Sequence, residues 1–393
     1  MGDTSTAWQP TSWRSRRAQH QARYNDEELL REVVARLAHL PPLVTAREIE
    51  HLKSLLQEAE SGKAFLLQGG DCAETARDCA QGSIESKFRV LTSMADTIGQ
   101  ASQVRVVRVG RCAGQYAKPR SNSFETRDGI TLPSYAGDLI NDPEFSEAAR
   151  RPDPTRMLLG YEHAALTLNY LRALAEPTEP FFTSHEGLHL EYEAAQTRLS
   201  NSSHYDLTTH LPWIGERTRA LEEAHVEFFR GVANPVGVKL GPSADPAEIV
   251  RVASRLNPDN VAGKIVLITR LGFRNVRELL PPIIEAIRSA KLHVLFACDP
   301  MHGNTHTAAS GAKVRDLAEM CEEISGTFDV HRRQGTRLGG LHVELTGDDV
   351  TECIGAGVSE HDLERNYASL CDPRLNTAQA QAMAVLVGEQ LAR

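Results

Sequence analysis

The spacing of apolar residues along this chain changes once, near residue 63, and that change divides the reading. Before it, NDEELLREVVARLAHL (25–40) and TAREIEHLKSLLQEAESG (45–62) place apolar residues three and four apart, on one helical face. The first opens with acids in its first turn, where the helix dipole favours them. The second has Thr45 and Glu48 at capping-box spacing and meets Gly62 as a C-terminal stop. After it, eight apolar runs read as buried parallel strands: 64–70, 104–110, 180–187, 205–215, 235–242, 264–272, 293–303 and 339–347. Helical patterns lie between most of them, including ESKFRVLTSMADTIGQ, PTRMLLGYEHAALTLNYLRAL, RTRALEEAHVEFFRGV, PAEIVRVASRL, NVRELLPPIIEAIRSA and KVRDLAEMCEEISG.

Eight strands alternating with helices predict an α/β chain closed into a (β/α)8 TIM barrel over 63–393, with a short N-terminal helical extension over 1–62. An open doubly wound sheet would want a glycine-rich phosphate turn after its first strand, and AFLLQGGDCAE has two glycines without that fingerprint. Between the second and third runs lies YAKPRSNSFETRDGITLPSYAGDLIND, too long for an ordinary βα connection and so expected to be functional.

Composition narrows the class. No apolar run reaches the ~18 residues that cross a bilayer, and the N-terminus lacks the apolar core of a secretory signal, so a cytoplasmic location without a membrane partner is expected. The net charge of −9, from 43 basic and 52 acidic residues, disfavours nucleic acid as a partner. Seven cysteines without a CxxC pair read as reduced thiols rather than a disulfide framework.

Chemistry gathers where the strands end, which in a barrel is where active sites form. The run HVLFACDPMHGNTH stops at Cys298 and delivers Asp299, His302, Asn304 and His306. The other runs end at Asp71 and Cys72, at Arg111, at His185 and Glu186, and at Trp213, Glu216 and Arg217. Lys239, Arg270, His342 and Glu344 complete the set. Each alone has a plain structural explanation, but their common location does not. Two groups emerge. Arg111, Lys118, Arg120, Arg217, Lys239 and Arg270 are cations inside an acidic chain, suited to small polyanions and numerous enough for two phosphorylated substrates. Cys72, His302 and Glu344, with Asp372 of CDPRLN, are a thiolate, an imidazole and two carboxylates fit for a divalent metal.

The segments FLLQGGDCAE, GRCAGQYAKPRS, LPWIGERTR, VGVKLGP, LITRLG, CDPMHGNTH, HVELTG and CDPRLN, in this order over nearly the whole chain, resemble the type II 3-deoxy-D-arabino-heptulosonate 7-phosphate (DAHP) synthases. The resemblance implies a (β/α)8 barrel that condenses phosphoenolpyruvate with erythrose 4-phosphate and water to give DAHP and phosphate. By matching positions, it implies Cys72, His302, Glu344 and Asp372 as ligands of a divalent ion, Mn²⁺ or Co²⁺ first, Zn²⁺ or Fe²⁺ next. It implies Arg111, Arg217, Lys239 and Arg270 as phosphoenolpyruvate contacts, with Trp213 and Glu216 beside them, and Lys118, Pro119, Arg120 and Ser121 as the erythrose 4-phosphate segment. Lys239 and Glu216 are the candidates for moving protons, and Cys72 and His302 for acting through the metal.

The chain departs from the longer members of that family in two places. Its N-terminal segment is short, and only about sixty residues separate KPRS from PFFTSHEG, which leaves no room for an extra helical pair. It therefore resembles the compact forms of secondary metabolism, with feedback control by aromatic amino acids in doubt. A homo-oligomer, dimer or tetramer, is expected. Two alternatives stay open: an aminated tetrose phosphate as the aldehyde, and an inactive barrel serving as a chorismate mutase partner.

Overall fold

Strand β1 (Ala64–Gly70) is apolar or glycine at six of its seven positions, and all seven are buried. Such a run finds satisfaction only inside a sheet covered on both faces. The computed structural model, which describes residues 7–120, 122–176 and 179–393, supplies that sheet. It adds β2 (Arg105–Arg111), β3 (Phe181–Thr183), β4 (Trp213–Ile214), β5 (Val236–Leu240), β6 (Ile265–Thr269), β7 (Leu295–Cys298) and β8 (Gly340–Glu344). The order is β3-β2-β1-β8-β7-β6-β5-β4, and the pairs are parallel. The two ends of that row meet. Leu211 N donates to Thr183 O (3.2 Å), Trp213 N to His185 O (3.0 Å) and Gly187 N to Trp213 O (3.0 Å), which joins β3 to β4 and closes the barrel.

The two N-terminal helices form as the pattern predicts. Helix α1 (Glu27–His39) is capped by Asp26, whose side chain accepts from Leu29 N at 2.8 Å. Helix α2 (Ala46–Glu60) carries the Thr45–Glu48 capping box, and Gly62 follows its end at φ +80°. Its Leu52, Leu55 and Leu56 pack with Leu66, Val109, Val266, Ile268 and Ala297, so that α2 closes the apolar end of the barrel. Outside the sheet lie α3 (Gln81–Ser102), α4 (Arg156–Leu174), α5 (Ala224–Phe229), α6 (Pro246–Leu256), α7 (Val276–Ser289), α8 (Leu317–Arg333) and α9 (Thr377–Leu391). Their apolar faces meet the alternate strand residues Val236, Val238, Leu240, Ile265 and Leu267 in the main core.

Three readings of the sequence need correction. The run 205–215 is not one strand. Ser203–Asp206 pairs antiparallel with Thr197–Ser200, Asp206 Oδ1 accepts from Thr208 N (3.1 Å) in a local turn, and only Trp213–Ile214, beyond Pro212, enters the barrel. The helix predicted from Lys313 begins four residues later. Lys313–Asp316 is a strand between Thr305–Thr307 and Cys353–Ile354, and Asp316 caps α8 through Ala318 N at 2.7 Å. The helix predicted over RTRALEEAHVEFFRGV shrinks to a short 3-10 turn at Glu216–Thr218 and the six-residue α5, whose first N–H donates to Arg17 O at 3.0 Å.

Candidate active site

The barrel interior changes character along its axis. At its N-terminal end, inward positions such as Leu66, Val107 and Val109 are apolar. Two residues further on they are Gln68, Arg111, His342, Glu344 and Lys239, all buried. Register explains how the deepest row forms. Gly70 of β1 stands level with Arg111 on one side and Glu344 on the other. With no side chain between them, Arg111 Nη2 reaches Glu344 Oε1 at 2.9 Å. Gly70 has φ +151°, and a Cβ there would lie 2.6 Å from Arg111 O, so no other residue fits. Arg111 Nη1 meets His342 Nε2 at 2.8 Å, His342 Nδ1 meets Gln68 Oε1 at 2.8 Å, and the guanidinium lies over the Trp213 ring at 5.1 Å.

Above this row opens a cavity of about 740 Å³, lined by Arg111, Lys118, Pro119, Arg120, Trp213, Glu216, Arg217, Lys239, Arg270, His302 and Asp372 among others. The structure thus brings together nearly every site residue expected from the sequence; Ser121 lies outside the described residues. The long segment after β2 contributes its hairpin, Phe124–Arg127 with Ile130–Pro133, of which Phe124, Glu125 and Thr126 reach the cavity wall. Arg217 donates to Pro119 O (3.3 Å) and Arg270 to His302 O (2.7 Å), so the cationic loops brace one another. Lys239 donates to Asp299 Oδ2 at 2.6 Å, and burial pushes its ammonium down to about 8 against the pull of Asp299. Glu216 accepts from Gly241 N and from Arg219 Nη2 (3.1 Å).

One wall carries the metal-ligand set. A nitrogen of His302 and a carboxylate oxygen each from Glu344 and Asp372 lie within 4.8 Å of one another. His302 Nδ1 stands 2.8 Å from Asp299 Oδ2, and its Nε2 3.2 Å from Glu344 Oε1. A histidine whose Nδ1–H is held by a carboxylate offers Nε2 to a metal, the usual arrangement around a bound ion. Burial would raise the Glu344 carboxyl, but His302, Lys118 and Arg111 hold it well below the carboxylate range. Asp372 likewise stays ionised despite burial, mainly through Lys118, 2.7 Å away. An imidazole and two carboxylates, ionised and convergent, fit a divalent cation of intermediate hardness. Cys72 does not join that cluster. Its Sγ lies 3.3 Å from Ser369 Oγ and in contact with Cys371. The Cys72–Cys371 hydrogen bond pulls the Cys371 thiol down to about 6, helped by Lys118 and Arg120, and pushes Cys72 well up.

Four further groups belong to the site. Glu186 lines the cavity, its carboxyl raised by burial and its Oε1 without a hydrogen-bond partner among the described residues; it was visible as a strand-end residue. Asp299 links Lys239 to His302. Arg315 donates to Glu344 Oε2 (2.7 Å) and Pro373 O (2.5 Å), and the helical reading of its segment concealed it. Cys371 carried no signal beyond its place beside Asp372 in CDPRLN. His306, in contrast, is exposed on the Thr305–Thr307 strand.

Fold and site together define a (β/α)8 enzyme with a candidate metal site, built for small, multiply charged anions. The chain belongs to the Class-II DAHP synthetase family, whose model matches residues 8–179 and 175–388, and is a metal-dependent DAHP synthase. Phospho-2-dehydro-3-deoxyheptonate aldolase of Streptomyces coelicolor is 41% identical over 432 residues, covering 96% of each chain. The enzyme of that name in Neurospora crassa is 39% identical, covering 97% of this chain and 94% of its own. Phospho-2-dehydro-3-deoxyheptonate aldolase AroG of Mycolicibacterium smegmatis is 41% identical, covering 90% and 89%. A solved structure of Phospho-2-dehydro-3-deoxyheptonate aldolase from Francisella tularensis aligns over 92% of this chain and 97% of its own, with a TM-score of 0.57. At 13% identity that likeness speaks for the fold alone.

Proposed function

We propose that the cavity holds phosphoenolpyruvate and erythrose 4-phosphate together, and that its two cationic groups divide the substrates between them. Arg111, Arg217, Lys239 and Arg270, around Trp213, take phosphoenolpyruvate; Lys118, Pro119, Arg120 and Ser121 take the phosphate end of the aldehyde. The observation that supports this most is the meeting of both groups in one cavity beside His302, Glu344 and Asp372. Those three residues, with Cys72 at the edge of the cluster, would hold the ion, and Mn²⁺ or Co²⁺ suits their mixed donors best. When bound, the ion supplies Lewis acidity that makes the aldehyde carbon electrophilic.

In this reading C3 of phosphoenolpyruvate bonds to that carbon, water adds at C2, and phosphate leaves with cleavage of its C–O bond. Lys239 and Glu216 move the protons. Lys239 is suited to giving or taking one near neutrality, because burial brings its ammonium to about 8. Glu216, anchored by Gly241 and Arg219, presents a fixed acceptor for the proton of the attacking water. We place the enzyme in the cytoplasm as a homo-oligomer, with residues 63–393 as the catalytic barrel and 1–62 as its extension, serving secondary metabolism free of feedback control. The alignment with the Streptomyces relative runs over 432 positions against 393 residues here, so that relative carries insertions this chain lacks.

The test is direct. Protein stripped by a chelator should form no DAHP from the two substrates, and added Mn²⁺ or Co²⁺ should restore phosphate release. Full activity in protein shown metal-free by elemental analysis would overturn the assignment.

A further inference from the structure

The metal-ligand set has an uneven foundation. Glu344 ends β8 and pairs with Gly70 of β1, and His302 sits in the turn after β7 with its N–H donating to Asp299 Oδ1 at 3.2 Å. Asp372 lies in the irregular stretch between the 3-10 turn Glu360–Asp362 and α9, and the backbone first pairs with the barrel three residues later, at Leu375 beside Leu345. An aspartate on an irregular loop holds a metal well only if something else sets its place.

Beside Arg315, which holds Pro373 O, one buried carboxylate gathers the loop. Glu352, fully buried, accepts five N–H groups, and all of them come from the loop that carries Asp372. Oε1 takes Ala368 N (3.1 Å), Ser369 N (2.8 Å) and Arg374 Nη2 (2.8 Å), while Oε2 takes Arg374 N (2.7 Å) and Arg374 Nε (3.1 Å). Its donors therefore stand on both sides of Cys371 and Asp372. The remaining arm of Arg374 reaches Asp71 Oδ1 at 2.9 Å, and Asp71 follows β1 immediately before Cys72. Ser369 completes the link. Its hydroxyl donates to Asp372 O (2.7 Å) and lies 3.3 Å from Cys72 Sγ. Neither Glu352 nor Arg374 lines the cavity.

We propose that Glu352 and Arg374 are positioning residues for the metal site, which fix Asp372 and Cys371 against His302 and Cys72 and thereby set its affinity for a divalent cation. This rests on the metal reading of the cluster. Burying a carboxylate and a guanidinium is costly unless every donor and acceptor is used. Here the pair spends that saturation on one loop. An arginine suits the place because its planar fork gives Glu352 two N–H groups and keeps a third arm for Asp71, where a lysine would offer a single nitrogen.

The experiment measures Mn²⁺ and Co²⁺ dissociation constants by competition with a chelating dye. It adds the visible spectrum of the Co²⁺ form, and thermal unfolding of the metal-free protein as a control. Glu352→Gln and Arg374→Met should weaken metal binding about 10- to 100-fold and alter the Co²⁺ spectrum. Arg374→Lys, which keeps the charge and folds more readily, should fall between them and the parent protein. Variants that lose thermal stability but keep the parental metal affinity and Co²⁺ spectrum would overturn the proposal and leave the metal site standing. A parent protein that binds neither ion would overturn the metal site itself, and the clamp with it.

Discussion

Lys239 and Arg120 carry like charges in one cavity but answer to different neighbours. Lys239 lies against Asp299 and 3.4 Å from His302 Nδ1, whereas Arg120 reaches Cys371 Sγ at 3.5 Å. If the cavity is divided as proposed, their removal should separate the two substrates kinetically. Lys239→Ala or Arg270→Ala should damage phosphoenolpyruvate use more than aldehyde use, and Arg120→Ala should do the reverse. Each lost charged contact is expected to cost roughly 2–4 kcal/mol of transition-state binding, about 30- to 1000-fold in kcat/KM. Steady-state kinetics with each substrate varied in turn decides it, and equal, small effects from all three would contradict the division.

Helix α8 illustrates what an element contributes beyond its place in the barrel. Its His331, 1% exposed, packs edge-on against Phe296 at 5.2 Å and sits 2.9 Å from Thr336 Oγ1. Burial lowers its pKa to about 4, from the ordinary 6.5. The unfolded chain therefore takes up this proton first as pH falls, and stability is lost between pH 6.5 and 4. At pH 5 the loss from this one group is about 2 kcal/mol. Buried Glu193 and Glu74, raised to about 7 by burial, act in the opposite sense over the same range and flatten the profile of the whole protein. The comparison that isolates the histidine is His331→Asn against the parent. The variant should be less stable at pH 7, and its Tm should fall less between pH 7 and pH 5. Parallel curves would refute the assignment.

The strands were legible because burial on both faces leaves continuous apolar runs, and 64–70 was read without error. The failures share a cause. Lys313–Asp316 is a strand because Val314 packs with Ala308 and Leu363, and nothing local distinguishes it from a first helical turn. Trp213–Ile214 is so short that its neighbours absorbed it into a longer run. At the site, Arg111, Lys239 and His302 were legible as polar residues ending apolar strands. Glu352 and Arg374 were not, since their partnership exists only after the chain returns from α8.

For the whole molecule, regulation follows from what lies between β2 and β3. The described residues there form the hairpin at Phe124–Pro133, a single turn at Glu147–Arg150 and α4, and these already serve the cavity and cover the barrel. Allosteric control requires a second site with unequal affinity for two states. Phenylalanine, tyrosine and tryptophan, singly or in pairs, are therefore expected to leave activity essentially unchanged at millimolar concentration. Synergistic inhibition in steady-state assays would show that an effector site exists elsewhere.

The cationic cavity also shapes how substrates arrive. It opens in a chain of net charge −9, but at physiological ionic strength that field is screened beyond a Debye length of ~8 Å, so an approaching dianion answers only to the charges nearest it. Encounter is then governed by a short funnel rather than by the molecule's overall field. If the cavity holds both substrates as proposed, capture begins only at its cationic mouth.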